Sequence, residues 1–198
     1  MTITRRIRPL LLAAALAAVA ASCSLEQEHG YAQSDDGSLS FRYPRAWTDL
    51  ELQPVSLEWV AGLHGADDGV EAPTSLASDN PLIAARVEQL EPDTRDQVTL
   101  VNLRRSVLPS GIDPAIPGTP GVQLLFHNTI VDDNGFEGHH VRFEAELEDG
   151  GTARIEHLAV FDRERRRIHS VRASCTPACF DANRAIIDEL FDSVRLRP

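Results

Sequence analysis

The chain has 198 residues, with 30 acidic and 19 basic side chains and a formal net charge of −11. This acidic balance argues against nucleic acid and bare anionic lipid as partners, because both are negatively charged. The chain is long enough to bury a hydrophobic core without a structural metal or many disulfides.

The first residues have the pattern of a secretory signal. Arg5, Arg6 and Arg8 are followed by an unbroken run of Leu, Ala and Val over residues 10–21. This order of a basic and then an apolar segment is typical of a signal peptide, and the run is shorter than the ~20 residues of a membrane-spanning helix. We predict that residues 1–22 are removed. The loss of three arginines moves the net charge from −11 to −14.

Cys23 lies directly after this segment. Ala20-Ala21-Ser22-Cys23 resembles a lipobox, the processing site of bacterial lipoproteins, although that pattern prefers Leu where Ala20 stands. The alternative is ordinary secretory cleavage near Ala21, which would leave Cys23 as a free thiol in an oxidising compartment. We predict a lipid on Cys23 that holds the protein on the extracytoplasmic face of the cell membrane.

The other two cysteines, Cys175 and Cys179, have three residues between them. Export favours a local structural disulfide between them. The alternative is a redox or metal site. Redox pairs usually have two intervening residues, and no further cysteine or close histidine completes a zinc ligand set. We predict the disulfide.

Residues 23–37 are polar and lack periodicity, and we predict that they form a tether. Residues 38–198 are predicted to form one α+β domain, an antiparallel sheet with helices packed on it. Alternating apolar residues, turn residues and helical stripes place its elements in the following order: strands at 39–44, 52–63 and 82–90, a helix at 94–108, strands at 122–131, 137–147, 152–162 and 167–174, and a final helix at 181–194.

Some residues have predicted roles within these elements. Leu82, Ala84 and Val87 are candidates for the inward side of the third strand. Thr94 begins a sequence with the form of a capping box, and Asp181 is a plausible N-cap of the last helix. Side chains from His139 to Leu147 alternate, which places His139, Val141, Phe143, Ala145 and Leu147 on one side of their strand.

The order of motifs resembles a known family. Phe41-Arg42-Tyr43-Pro44 with Trp47 resembles the opening of PsbP-like domains. The Asp133-Asn134-Gly135 hairpin turn is similar too, as is the last strand, Ser-Cys turn and helix closing on residues 191–194. Together they resemble actinobacterial lipoproteins of the LpqN and PsbP-like kind. The resemblance implies an α/β/α sandwich and carries no shared catalytic motif.

Three histidines are the strongest candidates for chemistry. In one plausible register His139, His157 and His169 share a sheet face, where they could bind a metal or act as acid and base. A slip of one residue would scatter them. No nucleophile elbow, zinc motif or phosphate loop is present, and nothing marks Ser106, Ser110 or Ser170 as activated. We therefore predict no catalytic residue, metal or cofactor.

Two long segments, residues 64–81 and 109–121, lack a regular pattern. The second has four prolines and three glycines, and loops of that length are often binding elements. Ile112 and Ile116 would then contact a partner. The alternative is an idle surface loop.

We expect a non-catalytic binding or accessory module of the cell envelope, with an unknown envelope protein or small ligand as partner. One alternative is a carrier of a small apolar solute or lipid, with a cavity lined from Phe143, Leu158 or Ile187. The other is an envelope hydrolase, with a cleft that gathers His, Ser and Asp.

Overall fold

The structure is a computed structural model that describes residues 29–49, 58–64, 75–105 and 120–198. The predictions for the signal peptide, for Cys23 and for Ile112 and Ile116 lie outside the described residues. No helix within those ranges is long and apolar enough to cross a membrane.

The described residues form two antiparallel sheets and three short helices. The smaller sheet has the order β1-β2-β10, and the larger has the order β3-β4-β5-β9-β8-β7-β6. The elements in chain order are β1 His29–Gln33, β2 Leu39–Pro44, β3 Thr48–Asp49, β4 Glu58–His64, β5 Leu82–Gln89, a 3-10 turn Arg95–Gln97, α1 Leu100–Arg105, β6 Val122–Val131, β7 Glu137–Glu146, β8 Thr152–Phe161, β9 Arg167–Cys175, α2 Pro177–Ala182, α3 Arg184–Asp192 and β10 Arg195–Leu196.

The five long strands, β5 to β9, lie where the alternation of side chains predicted them. In β7, Val141, Phe143 and Ala145 are buried on one face of the sheet. Gly138 marks the closest approach of β7 to β8, because a Cβ atom there would lie 2.0 Å from the carbonyl oxygen of Ala159. Only glycine therefore fits at this position.

Both faces of the larger sheet are covered. On one, the α1 face, Leu103 of α1 packs with Ala159 and Phe161. On the other, the α3 face, a larger core cluster joins the sheet, α3 and β2. Its members include Leu39, Phe41, Val160, Ile187 and Leu190. This is the α+β arrangement that the sequence predicted, with helices on both sides of an antiparallel sheet.

The tether prediction was wrong over residues 29–33, which form β1 and pair with β2. Only Ala32 of this strand is buried, so its side chains do not alternate. Backbone hydrogen bonds to β2 form the strand, and they leave no periodic signal in the sequence.

The inward set predicted for β5 was wrong at two positions. Val87 is fully buried together with Ile83 and Ala85, whereas Leu82 and Ala84 lie on the opposite face and are half-buried. Side chains two positions apart share a face of a strand, so Leu82 and Ala84 cannot point the same way as Val87.

Both predicted helix starts were wrong. Thr94 makes no side-chain cap, and a 3-10 turn there ends at an extended Val98 before α1 begins. Asp181 lies inside α2, whose cap is Thr176: its hydroxyl oxygen accepts a hydrogen bond from the backbone N–H of Cys179. Asp181 instead pairs with Arg154, an ion pair that forms only in the folded chain.

Candidate functional site

A cleft of about 280 Å³ lies between the α1 face of the sheet and the segment that leads into α1. Strands β5, β8 and β9 supply the polar floor of the cleft. The 3-10 turn and α1 supply part of its rim. Polar lining comes from Arg86, His157 and Ser170, and apolar lining from Val98, Leu103 and Ile168.

Ser170 and His157 form a hydrogen-bonded pair in this floor. Nε2 of His157 and Oγ of Ser170 are 2.6 Å apart. His157 is only 7% exposed, and its second ring nitrogen, Nδ1, has no hydrogen-bond partner among the described residues. The pair therefore keeps one unused hydrogen-bonding atom inside a largely buried site.

Two arginines flank the pair. The strand register places Arg86 opposite Ser170, and Arg172 opposite His157. Burial, together with the nearby positive charges of Arg172 and Arg86, lowers the pKa of His157 to about 3. His157 is thus neutral at physiological pH.

Arg172 is itself unusual. It is half-buried, and no acidic side chain in the described part of the chain pairs with it; burial and the nearby Arg86 both lower its pKa. Arg86 lies 3.9 Å from the carboxylate of Glu88. Among the described residues, Arg86 and Glu88 are the charged side chains that line the cleft, and Arg172 lies beside it, opposite His157.

The pair is poorly arranged for acyl transfer. A catalytic triad needs an acid on the second ring nitrogen, which stabilises the imidazolium that forms during reaction. None of the described residues supplies that acid to His157, and Arg172 and Arg86 destabilise the imidazolium. Among the described residues, the cleft brings together Ser170 and His157 without an Asp.

The three predicted histidines do not converge. His139 and His157 share the α1 face, but His169 lies on the α3 face, where its Nε2 is 3.0 Å from Oγ of Ser38. His139 contacts His127 at 3.0 Å, and its other ring nitrogen lies 2.8 Å from the backbone oxygen of Leu100. The shared-face register was therefore wrong for His169, because β9 presents its odd-numbered residues to α3.

Metal binding finds no support in the part of the chain that the structure describes, which contains no group of three or more His, Cys, Asp or Glu able to hold an ion. Cys175 and Cys179 form a disulfide-bonded pair with Cα atoms 6.0 Å apart. Phe143, Leu158 and Ile187, named above for a carrier cavity, are buried members of the core clusters.

Sequence reasoning missed a charged network between the sheet and α3. Glu156 is 1% exposed and accepts hydrogen bonds from Nε2 of His140 at 2.6 Å and from Nε of Arg142 at 2.8 Å. Arg142 also bonds Asp188 of α3 at 2.6 Å. A signal was available: the β7–β8 hairpin pairs Arg142 with Glu156 and Glu144 with Arg154, so opposite charges face each other.

The edge strand β6 is a second candidate site besides the cleft, because several of its side chains are exposed. Its ten residues carry no formal charge at neutral pH apart from any on His127, and several large apolar side chains are exposed. Those side chains are Leu124, Leu125, Phe126 and Val131, the last of them 73% exposed. No strand in the described part of the chain pairs with its outer edge.

Together these elements form an α+β fold with a small polar cleft on one sheet face and an apolar edge strand. The structure of cyanobacterial PsbP from Synechocystis sp. PCC 6803 is similar, with a TM-score of 0.55, 11% identity, and coverage of 86% of this chain and 93% of that chain. The PsbP-like fold that the motifs implied is thus confirmed.

Two further structures are similar. The Ran-binding protein Mog1p of Saccharomyces cerevisiae has a TM-score of 0.52 and 10% identity, with 85% of this chain and 95% of that chain covered. LpqN, described as involved in cell envelope biogenesis of Mycobacterium tuberculosis, has a TM-score of 0.50 and 12% identity, with 88% of each chain covered. At such identities the likeness shows the fold alone. No protein-family model and no curated protein sequence matches the chain.

Proposed function

We propose that the protein is a lipid-anchored, non-catalytic binding module of the cell envelope that captures an extended segment of a protein partner on β6. The exposed, uncharged edge of β6 carries this proposal. An open strand edge offers backbone N–H and C=O groups to an incoming strand, and alternate side chains supply specificity. The signal peptide and lipobox patterns support the location.

The composition of β6 is unusual for an unused edge. Proteins commonly protect edge strands with charges, prolines or bulges, because a flat apolar edge promotes aggregation. β6 has a bulge between Leu124 and Phe126 but no lysine, arginine, acid or proline. In a protein this acidic, an uncharged edge is suited to a specific strand partner.

The similar structures support a protein partner without identifying one. Mog1p is a Ran-binding protein by its description, and LpqN is described as involved in cell envelope biogenesis. A fold used for protein binding in one case makes the same use reasonable here, although fold alone does not define function.

The Pro/Gly loop at 109–121 leads directly into β6. We propose that Ile112 and Ile116 belong to the same binding surface as the strand. Prolines in the loop lower the entropy lost when it adopts one shape.

The test is a crosslinking pull-down from intact cells with the anchor kept. Leu125→Lys with Val131→Lys places two charges on the edge, and we expect capture of the partner to fall at least tenfold while the fold is kept. Ile112→Ser with Ile116→Ser should weaken the same capture. Tyr31→Lys is the matched control, because Tyr31 is 65% exposed but lies on β1 of the smaller sheet.

The same cells test the anchor. Labelled fatty acid should enter the wild type and not Cys23→Ala, and equal labelling of both would contradict the anchor. Capture that is undiminished by the β6 charges, in folded protein, would reject the edge as the binding surface.

A further inference from the structure

We propose that the cleft on the α1 face binds a small organic oxyanion, a phosphate or carboxylate group carried on a short apolar body. This site is separate from the β6 edge and does not depend on the protein partner proposed above. It would make the protein a binder of a small ligand as well.

The charge of the cleft favours an anion. Arg86 lines it, and Arg172 stands opposite His157 at the same level of the sheet. Among the described residues that line the cleft, Glu88 balances Arg86, so the excess positive charge comes from Arg172, which lies beside the lining residues. Arginine offers paired N–H donors that match the geometry of phosphate and carboxylate oxygens.

The His157–Ser170 pair supplies a further donor whichever way its proton lies. If Ser170 donates to Nε2, neutral His157 carries its proton on Nδ1, which has no partner among the described residues. If Nε2 donates to Ser170, the hydroxyl proton is free instead. In both cases one N–H or O–H in the floor of the cleft is left without a partner among the described residues.

Val98, Leu103 and Ile168 give the same cleft an apolar side. A volume of about 280 Å³ lies at the lower end of the range for small-molecule sites. The cleft therefore fits a ligand of a few carbon atoms with one anionic group, and it is too small for a long acyl chain.

Arg172 supports a functional use of these charges. Arg172 is half-buried and has no acidic partner among the described residues. A cation in that position costs stability, and such costs are found where a site needs the charge. Replacing Arg172 by Gln should therefore raise the unfolding midpoint while it weakens ligand binding. A purely structural arginine would show the opposite effect on stability.

The test is calorimetric titration of the purified mature protein with monobutyl phosphate, butyrate and 1-butanol. We expect at least one of the two anions to bind, and the neutral alcohol to bind at least tenfold more weakly. Arg86→Gln and Arg172→Gln should each lose at least tenfold in affinity. Arg166→Gln, an exposed arginine in the turn before β9, is the control and should bind as wild type.

Preference for monobutyl phosphate or for butyrate would identify the ligand group as phosphate or carboxylate. A nearby anion should also raise the pKa of His157, measured by NMR titration with and without ligand. The proposal is overturned if neither anion binds at millimolar concentration, if 1-butanol binds as tightly as the anions, or if both arginine variants bind as wild type. The Leu125→Lys, Val131→Lys protein should bind these anions normally, so failure at the edge and failure at the cleft are distinguishable.

Discussion

At the scale of single residues, Glu156 is the clearest case of a polar group that the fold must satisfy. Its carboxylate is buried beneath α3 and receives hydrogen bonds from His140 and Arg142. His140 stacks on Phe191, and the guanidinium of Arg142 lies over Phe180 at 5.4 Å. The network thus attaches the sheet to both α2 and α3 through charge and aromatic contact.

Removing Glu156 should therefore be costly. Glu156→Ala leaves Arg142 and His140 largely buried without their shared acceptor, and breaking one side of a buried ion pair typically costs about 3 kcal/mol or more. We expect a loss of that order in the free energy of unfolding, measured by urea denaturation. Glu164→Ala is the matched control, because Glu164 pairs with Arg166 at 2.8 Å on the surface, where ion pairs contribute little. Equal losses for the two variants would contradict a structural role for the network.

At the scale of elements, the corner between β9 and α2 combines several local constraints. Pro177 starts α2, Thr176 caps it, and the disulfide joins the last residue of β9 to Cys179. Both cysteines are buried and belong to the core cluster on the α3 face. This corner fixes the direction in which the chain leaves the sheet and enters the two C-terminal helices.

The bridge should contribute stability without being essential for folding. Native protein purified without a reducing agent should have no free thiol at Cys175 or Cys179, as measured by thiol labelling. Replacing both by Ala should lower stability by roughly 2 kcal/mol, the chain-entropy value for so short a loop. The melting temperature should fall while the circular dichroism spectrum stays that of a folded protein, because the core is extensive. Two free thiols in the native protein would contradict the bridge.

At the scale of the whole molecule, the buried histidines make stability depend on pH. Burial is the largest cause that lowers the pKa of His157 to about 3 and that of His169 to about 4, against 6.5 for an unperturbed histidine. The charges of Arg172 and Arg86 contribute to the value for His157, and the charge of Arg167 contributes to the value for His169. Below pH 6.5 the unfolded chain binds protons that the folded chain excludes, so acid favours unfolding.

The contribution of these two histidines to the free energy of unfolding should therefore be constant above pH 6.5. It should fall between pH 6.5 and about pH 4. The expected slope is about 1.4 kcal/mol per pH unit for each histidine. Urea denaturation at pH 7.5, 6 and 5 measures it. His157→Gln with His169→Gln should flatten this part of the curve, and an unchanged slope in that variant would contradict the assignment.

A second loss is expected in stronger acid. Burial raises the pKa of Asp36, but hydrogen bonds from Ser38 and Ser34 and the charge of Arg167 lower it by more, to well below 3.8. This carboxylate stabilises the fold above pH 3.8, and its contribution is lost as the pH falls towards the lower folded value.

Much of the larger sheet was predictable because the information is local. A period of two in side-chain polarity, together with turn residues such as Asn134-Gly135, places β6 to β9. The β7–β8 register, in which Arg142 meets Glu156, was not predicted. The short spacing of Cys175 and Cys179 predicted, in the same local way, a pair of cysteines close enough to form a disulfide.

Tertiary structure alone decided β1, the faces of the histidines and the cleft. β1 exists because β2 offers it hydrogen bonds. Arg86 meets Ser170 only once β5 has paired with β9, a strand distant in sequence, whereas Arg172 meets His157 within the β8–β9 hairpin. The alternation of one strand fixes which residues share its own face, but the face that meets a helix depends on long-range pairing and register. The sequence by itself therefore determined the positions of the long strands, whereas packing decided which side chains meet, because the site is assembled from residues far apart in the chain.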